Sequence, residues 1–112
     1  MNTVEILKGA KALIENKGWT QGRSARDENG KGVRATDPNA VCFCGLGAAL
    51  AATRDLKAGT AFYTESFPAM DALDNAVGGH FPTFNDTPGR TVSEVLAKFD
   101  EAIAAEEAKL AA

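Results

Sequence analysis

Between Ala40 and Ala52 the chain carries almost nothing but small or apolar side chains: Val41, Cys42, Phe43, Cys44, Leu46, Ala48, Ala49, Leu50 and Ala51, with Gly45 and Gly47 among them. A helix over this stretch has no polar face to offer water, so it has to lie at the centre of the fold and be covered on all sides. Asp37-Pro38 supplies a start, an N-cap followed by a proline in the first turn, where its missing N–H costs nothing. Two interior glycines each cost roughly 1 kcal/mol relative to alanine, and close approach of another backbone is the offset that such a pair calls for. The helix is expected to end near Thr53-Arg54-Asp55.

The cover has to come from the rest of a 112-residue chain, a length that fits one domain, 1–112, and not two. Ile6, Leu7, Ala10, Leu13 and Ile14 recur at helical spacing, which predicts a first amphipathic helix from about Thr3 to Lys17, capped by Asn2 or Thr3 and stopped by Gly18. From Thr20 to Thr36 the text turns short and polar, and Asn29-Gly30 marks the tip of a β-hairpin through a tight I′ turn. Leu56 to Ser66 has no clear period, with a short extended or turn segment around Ala61-Phe62-Tyr63. Phe67, Met70, Leu73 and Val77 predict a short helix closed by Gly78-Gly79, its other face, Asp71, Asp74 and Asn75, in solvent. His80 to Arg90 reads as a loop, punctuated by Pro82, Pro88 and Gly89 and carrying Asn85 and Asp86 in its middle. Thr91-Val92-Ser93-Glu94 matches a capping box, after which Val95, Leu96, Phe99, Ala102 and Ile103 continue a last helix. Beyond Ile103 the apolar stripe thins, and residues 104–112 are expected to fray. The fold class is therefore α+β and mostly helical: about four helices, two of them long and terminal, one buried and central, one short, with one β-hairpin.

Charge narrows the function classes. With 12 basic and 15 acidic residues the chain carries a formal charge of −3, which gives no overall field toward phosphates or anionic lipid. No run reaches the length of a membrane span, and Met1 to Glu5 lacks the basic and then apolar start of a secretory leader, so a cytoplasmic protein with no membrane partner is expected. Cys42 and Cys44 are the only cysteines, too few for a disulfide framework, and reduced thiols are the expectation.

Three constellations bear on chemistry. On a helix the side chains of Cys42 and Cys44 would point about 200° apart, which rules out a shared metal, and even on a strand a tetrahedral site would want two further ligands where the chain offers only His80 and carboxylates. No metal and no cofactor is expected. A thiol hydrolase or transferase is the main alternative to a binding role: a cysteine near a helix N-terminus has its pKa lowered by the dipole, and His80 with Asn85 or Asp86 could complete the set. Against it, cysteines inside an apolar helix are buried and inert. Arg23, Arg26, Lys31 and Arg34 cluster on the hairpin, which makes nucleic-acid binding a second alternative, although Asp27 and Glu28 reduce the local charge. Trp19 is expected to close the core after the first helix, Asn85 and Asp86 to build a turn, and Arg90 to pair with one of the nearby carboxylates.

Gly18-Trp19-Thr20-Gln21-Gly22, Ala25-Arg26-Asp27, the run Asp37 to Ala48, and Phe84-Asn85-Asp86-Thr87-Pro88-Gly89-Arg90-Thr91 with the helix that follows resemble a family of uncharacterised small proteins from bacteria and their phages. That family typically reads Trp-Cys-Gln-Gly, then Cys-Trp-Cys-Ala-Leu-Gly-Ala, then Trp-Asn-Asp followed by Arg-Thr. The chain departs from this pattern at Thr20, Phe43 and Phe84. The resemblance implies a phage or prophage setting, carries no known activity, and makes His80 incidental. It points to Trp19, Gln21, Asp27, Cys42, Cys44, Asn85, Asp86 and Arg90. Together with Arg26 on the hairpin, these residues lead to the expectation of a non-catalytic accessory module that holds a protein partner or small ligand through Trp19, Gln21, Arg26, Asp27, Asn85, Asp86 and Arg90, on the surface where the hairpin, the start of the second helix and the Asn85-Asp86 loop converge. The catalytic alternative would use Cys42, Cys44, His80 and Asp86.

Overall fold

The computed structural model of the protein describes residues 2–56 and 62–111. Helix α1 spans Thr3–Lys17 as the period predicts, with the Asn2 side chain accepting the Glu5 N–H at 2.9 Å and Gly18 closing the C-terminus. Its apolar face, Ile6, Leu7, Ala10 and Ile14, is buried.

The hairpin forms around the expected tip but with a different turn. Strands β1, Ala25–Arg26, and β2, Gly32–Val33, pair antiparallel with Ala25 opposite Val33. Gly30 alone takes a positive φ, +81°, and its N–H bonds Asp27 O while Asp27 N–H bonds Lys31 O. This is a three-residue loop with glycine in the left-handed position, not a two-residue I′ turn. Asp27 fixes it by accepting the Asn29 and Lys31 N–H groups on Oδ1.

The central apolar run divides where one helix was expected. Cys42–Phe43 form strand β3, antiparallel to β1, giving the order β2-β1-β3, and helix α2 begins only at Gly45 and runs to Leu56. Asp37-Pro38 is accordingly a turn, closed by Ala40 N–H to Asp37 O, and caps no helix. A continuous apolar run has no period that separates buried strand from buried helix. What decides here is long-range pairing: Val41 N–H bonds Arg26 O, Cys44 N–H bonds Ser24 O, and Phe43 exchanges bonds with Gly18 and Thr20, which bridges Trp19 parallel to Phe43. From Gly45 onward the helix is the buried centre, with Ala48, Ala49, Ala51 and Ala52 in the core.

The two glycines of α2 are explained by contact. A Cβ at Gly47 would stand 1.9 Å from Ser24 O, and one at Gly45 would stand 2.2 Å from the Phe81 ring. The helix is pressed on its first turn against the backbone of the hairpin stem and the face of an aromatic ring.

Helix α3, Phe62–Glu65, is a single turn; the extended or turn segment expected around Ala61-Phe62-Tyr63 lies partly outside the described residues. Helix α4 spans Phe67–Val77 and ends in left-handed Gly78, whose N–H, with that of Gly79, takes up the last carbonyls. Asp74 is not simply solvated: its Oδ1 accepts the Phe81 N–H at 2.8 Å and so caps the next element. That element is a further correction, because Phe81–Asp86 is a short helix, α5, where a loop was expected. Pro82 sits in its first turn, the place where proline helps a helix begin. Helix α6, Val92–Ala111, opens with the expected capping box, Glu94 accepting the Thr91 N–H while Thr91 Oγ1 accepts that of Glu94.

Helices α1, α2, α4 and α6 share one core, with Leu73, Val95, Phe99 and Ile103 against the α1 face. Lys11 to Asp100 and Lys8 to Glu107 tie α1 to α6 on the outside. The small sheet and α5 lie at the end of this layer where α2 begins, and Phe81 joins them to α6 by an edge contact with Phe99. No helix among the described residues is long and apolar enough to cross a membrane.

Candidate functional site

The centre of the site is Asn85, on the last turn of α5 and wholly buried. Its Oδ1 accepts the Trp19 indole N–H at 2.8 Å and the Gly45 N–H at 3.0 Å. Its Nδ2 donates to Thr20 O at 3.2 Å and to Asp86 Oδ1 at 3.0 Å. An amide side chain has two donor and two acceptor positions, and all four are filled. The main-chain carbonyl of Asn85 takes a fifth bond, from Gln21 Nε2, which also donates to Thr87 O. Asp86 completes the ring by accepting the Gly22 N–H at 3.0 Å.

One residue thus joins the segment after α1, the start of α2 and the end of α5. Gly45 is the first residue of α2 and its N–H is one of the donors a helix start leaves without an intrahelical partner, so the amide of Asn85 caps that helix from forty positions away in sequence. Cys44 serves the same end locally: its sulfur accepts the Gly47 N–H at 3.2 Å. Burial pushes the Cys44 thiol above its ordinary value, outweighing the N–H groups of Gly47 and Leu46 that favour the thiolate. The expected lowering of a cysteine pKa at a helix N-terminus is therefore reversed here by desolvation.

The remaining expected site residues fall into place around this hub or away from it. Arg26 turns inward on the hairpin, with Nε on Thr20 Oγ1 at 2.8 Å and its terminal nitrogens on Gln21 O and Gly30 O. Arg90 donates to Phe84 O, lies 3.7 Å over the Phe84 ring and pairs with Glu94 at 3.2 Å. Asp27 stands apart at the hairpin tip. Cys42 is half-buried on β3, with its Cβ 3.4 Å from where a Cβ at Gly18 would lie. His80 is exposed, precedes α5 and contacts Thr83 Oγ1 at 2.9 Å. It shares with Asp86 a depression of about 420 Å³ that has no cysteine in its wall. No group of three or more His, Cys, Asp or Glu side chains is placed to hold a metal among the described residues.

Sequence reasoning placed the hairpin, the start of the second helix and the Asn85-Asp86 segment on one surface but missed the individual bonds between Trp19, Gln21, Asn85 and Asp86, whose contacts span more than sixty positions. It missed Phe84, which carries Arg90, and the main-chain groups of Thr20 and Gly45. It also missed an open depression of about 410 Å³ between the hairpin tip and the turn before β3, lined by Asp27, Glu28, Asn29, Pro38, Asn39 and Val41. Glu28 is exposed there, and Val41 presents an apolar side chain that is 42% exposed.

A sequence model of DUF6197, a family of unknown function, matches residues 1–105. No curated protein and no solved structure matches the chain.

Proposed function

The chain belongs to DUF6197, a family that assigns it no activity, and we propose from the geometry that it is a non-catalytic binding module whose Asn85 network is structural and whose hairpin side offers a surface to a protein partner. The observation that carries this reading is the saturation of Asn85: every hydrogen-bonding position of its side chain is met by the protein's own groups. A group that takes part in catalysis needs a position open to substrate. Cys44, kept protonated by burial, and His80, in a wall without cysteine, lend the hydrolase no support. Arg26, with all three guanidinium nitrogens on intrachain oxygens, lends none to nucleic-acid binding.

The docking surface in this reading is the depression between the hairpin tip and the turn before β3. Its exposed carboxylate, Glu28, and its exposed apolar residue, Val41, suit a basic segment that carries a neighbouring apolar side chain. The setting we propose is the cytoplasm of a bacterium, with a prophage or phage as the source of the gene. A pull-down from such a lysate, comparing the wild type with a Glu28→Arg, Val41→Asp variant of unchanged circular dichroism, tests the reading. A partner held by the wild type and lost from the variant is the expected result; an identical set of captured proteins would remove the surface from consideration.

A further inference from the structure

Helices α1 and α2 flank two open depressions that share Leu13 and Asp55 in their walls, and the second also borders Pro38 of the depression beside the hairpin tip. One, of about 210 Å³, is mainly apolar, with Gly9, Ala12, Leu13, Ala52 and Leu56 along its sides and Glu5 and Asn16 at its rim. The helices are close here, since a Cβ at Gly9 would sit 3.3 Å from Ala52 Cβ. The other, of about 200 Å³, has Phe43, Ala40 and Ala51 as buried floor and Lys17 and Arg54 in its wall. Each alone is smaller than the roughly 300–1,000 Å³ of small-ligand sites, and a ligand lying across both would reach the lower end of that range.

We propose that these two adjoining depressions together bind a small zwitterion with an apolar side chain, an α-amino acid of about the size of leucine. The apolar slot takes the side chain. Lys17 and Arg54 make no ion pair among the described residues, and both border the second depression, where a carboxylate would meet them. Asp55 lines both depressions and so stands at their junction, the position of the α-ammonium group when the side chain and the carboxylate lie on either side of it. Asp37, also in the second wall, already accepts the Asn39 N–H at 2.7 Å. A helix dipole accounts for a cation in the last turn of either helix. It does not account for two such cations on one cavity with an apolar slot behind it and a carboxylate at the join.

The test is an NMR titration of the full chain with L-leucine, 4-methylpentanoate, which lacks the ammonium, and isopentylamine, which lacks the carboxylate. Saturable shifts at Leu13, Ala52 and Arg54 are expected with leucine, and binding about tenfold weaker with either analogue, in line with loss of one hydrogen bond to a charged group. Lys17→Ala with Arg54→Ala should weaken leucine binding by about tenfold or more with only a small fall in melting temperature, that of two exposed helix-end charges. Asp55→Asn should abolish the preference for leucine over 4-methylpentanoate. Absence of saturable shifts with leucine would overturn the site, and equal binding of leucine and 4-methylpentanoate by the wild type would overturn the zwitterion.

Discussion

Asn85 shows how much one buried amide can carry. Truncation at this position strands the Trp19 indole N–H, the Gly45 N–H and the Thr20 carbonyl at once and leaves a void in their midst. With about 1–3 kcal/mol for each buried polar group left without a partner, Asn85→Ala is expected to cost about 3 kcal/mol or more, measured by urea unfolding. Asn85→Leu, similar in volume, should be no milder, because the partners it abandons, the buried Gly45 N–H and the part-buried Trp19 and Thr20 groups, are left without the amide. A loss below about 1 kcal/mol would mean that water replaces the amide and that the network does not hold the site. Cys44 is the second residue whose environment fixes its chemistry. Burial holds its thiol above its ordinary value and away from reagent, so at neutral pH it should resist alkylation in the native protein, while half-buried Cys42 reacts ahead of it. Mass spectrometry after a timed pulse of iodoacetamide separates the two, and a faster Cys44 would reopen the thiol chemistry.

At the scale of elements, the contact that most constrains the fold is α2 against the hairpin stem. Gly47→Ala would drive a Cβ into Ser24 O, a backbone atom that cannot rotate aside, and is expected to destabilise by about 3 kcal/mol or more. Gly79→Ala is the matched control: its φ is not in the left-handed region and nothing lies within 4 Å, so a change from neutral to about 1 kcal/mol of stabilisation is expected. At the other end of the chain, the N–H and hydroxyl of Thr91, and then Arg90, lower the Glu94 pKa below its ordinary 4.5. A carboxylate depressed in the folded state binds its proton more readily when unfolded. Its contribution is therefore complete above 4.5 and is lost as pH falls from there through the folded value. Glu94→Gln should flatten that part of the stability profile, and an unchanged slope would show that the box does not titrate with folding. The sequence and the elements agree where periodicity or capping is local: Thr3 to Lys17, Phe67 to Val77 and Val92 onward were all legible. They part at Val41 to Cys44, where an unbroken apolar run is compatible with strand or helix until β1 and Gly18 are there to pair with it. They part again at Phe81 to Asp86, where Pro82 reads as a breaker although it occupies a first turn capped by Asp74. The site was legible in its residue types but not in its wiring, because a side chain that caps a helix forty residues away leaves no local mark. Gly45 and Gly47 were the exception: the cost of glycine inside a helix pointed to a close neighbour, which proved to be Phe81 for one and the Ser24 backbone for the other.

For the whole molecule the question is whether the small sheet is an independent appendage or part of one cooperative unit. Three links bind it to the helical layer: the Asn85 hydrogen bonds, the Phe81 ring lodged between Gly45 and Phe99, and the shared run from β3 directly into α2. Each two-residue strand has too few bonds to stand alone. The sheet should then unfold only with the helices. Trp19 is the only tryptophan and reports on the sheet side, while far-ultraviolet circular dichroism is dominated by the helices, so the two signals follow different parts of one structure. Their urea transitions are expected to coincide in the wild type, the behaviour of a two-state domain. In Asn85→Ala the fluorescence transition should move to lower urea than the ellipticity, because the hydrogen bonds that couple the segments have gone while the α1, α2, α4 and α6 core is intact. Wild-type transitions that already separate would show that Phe81 and Asn85 do not couple the layers, and the surface built on them would then be loosely held on its own.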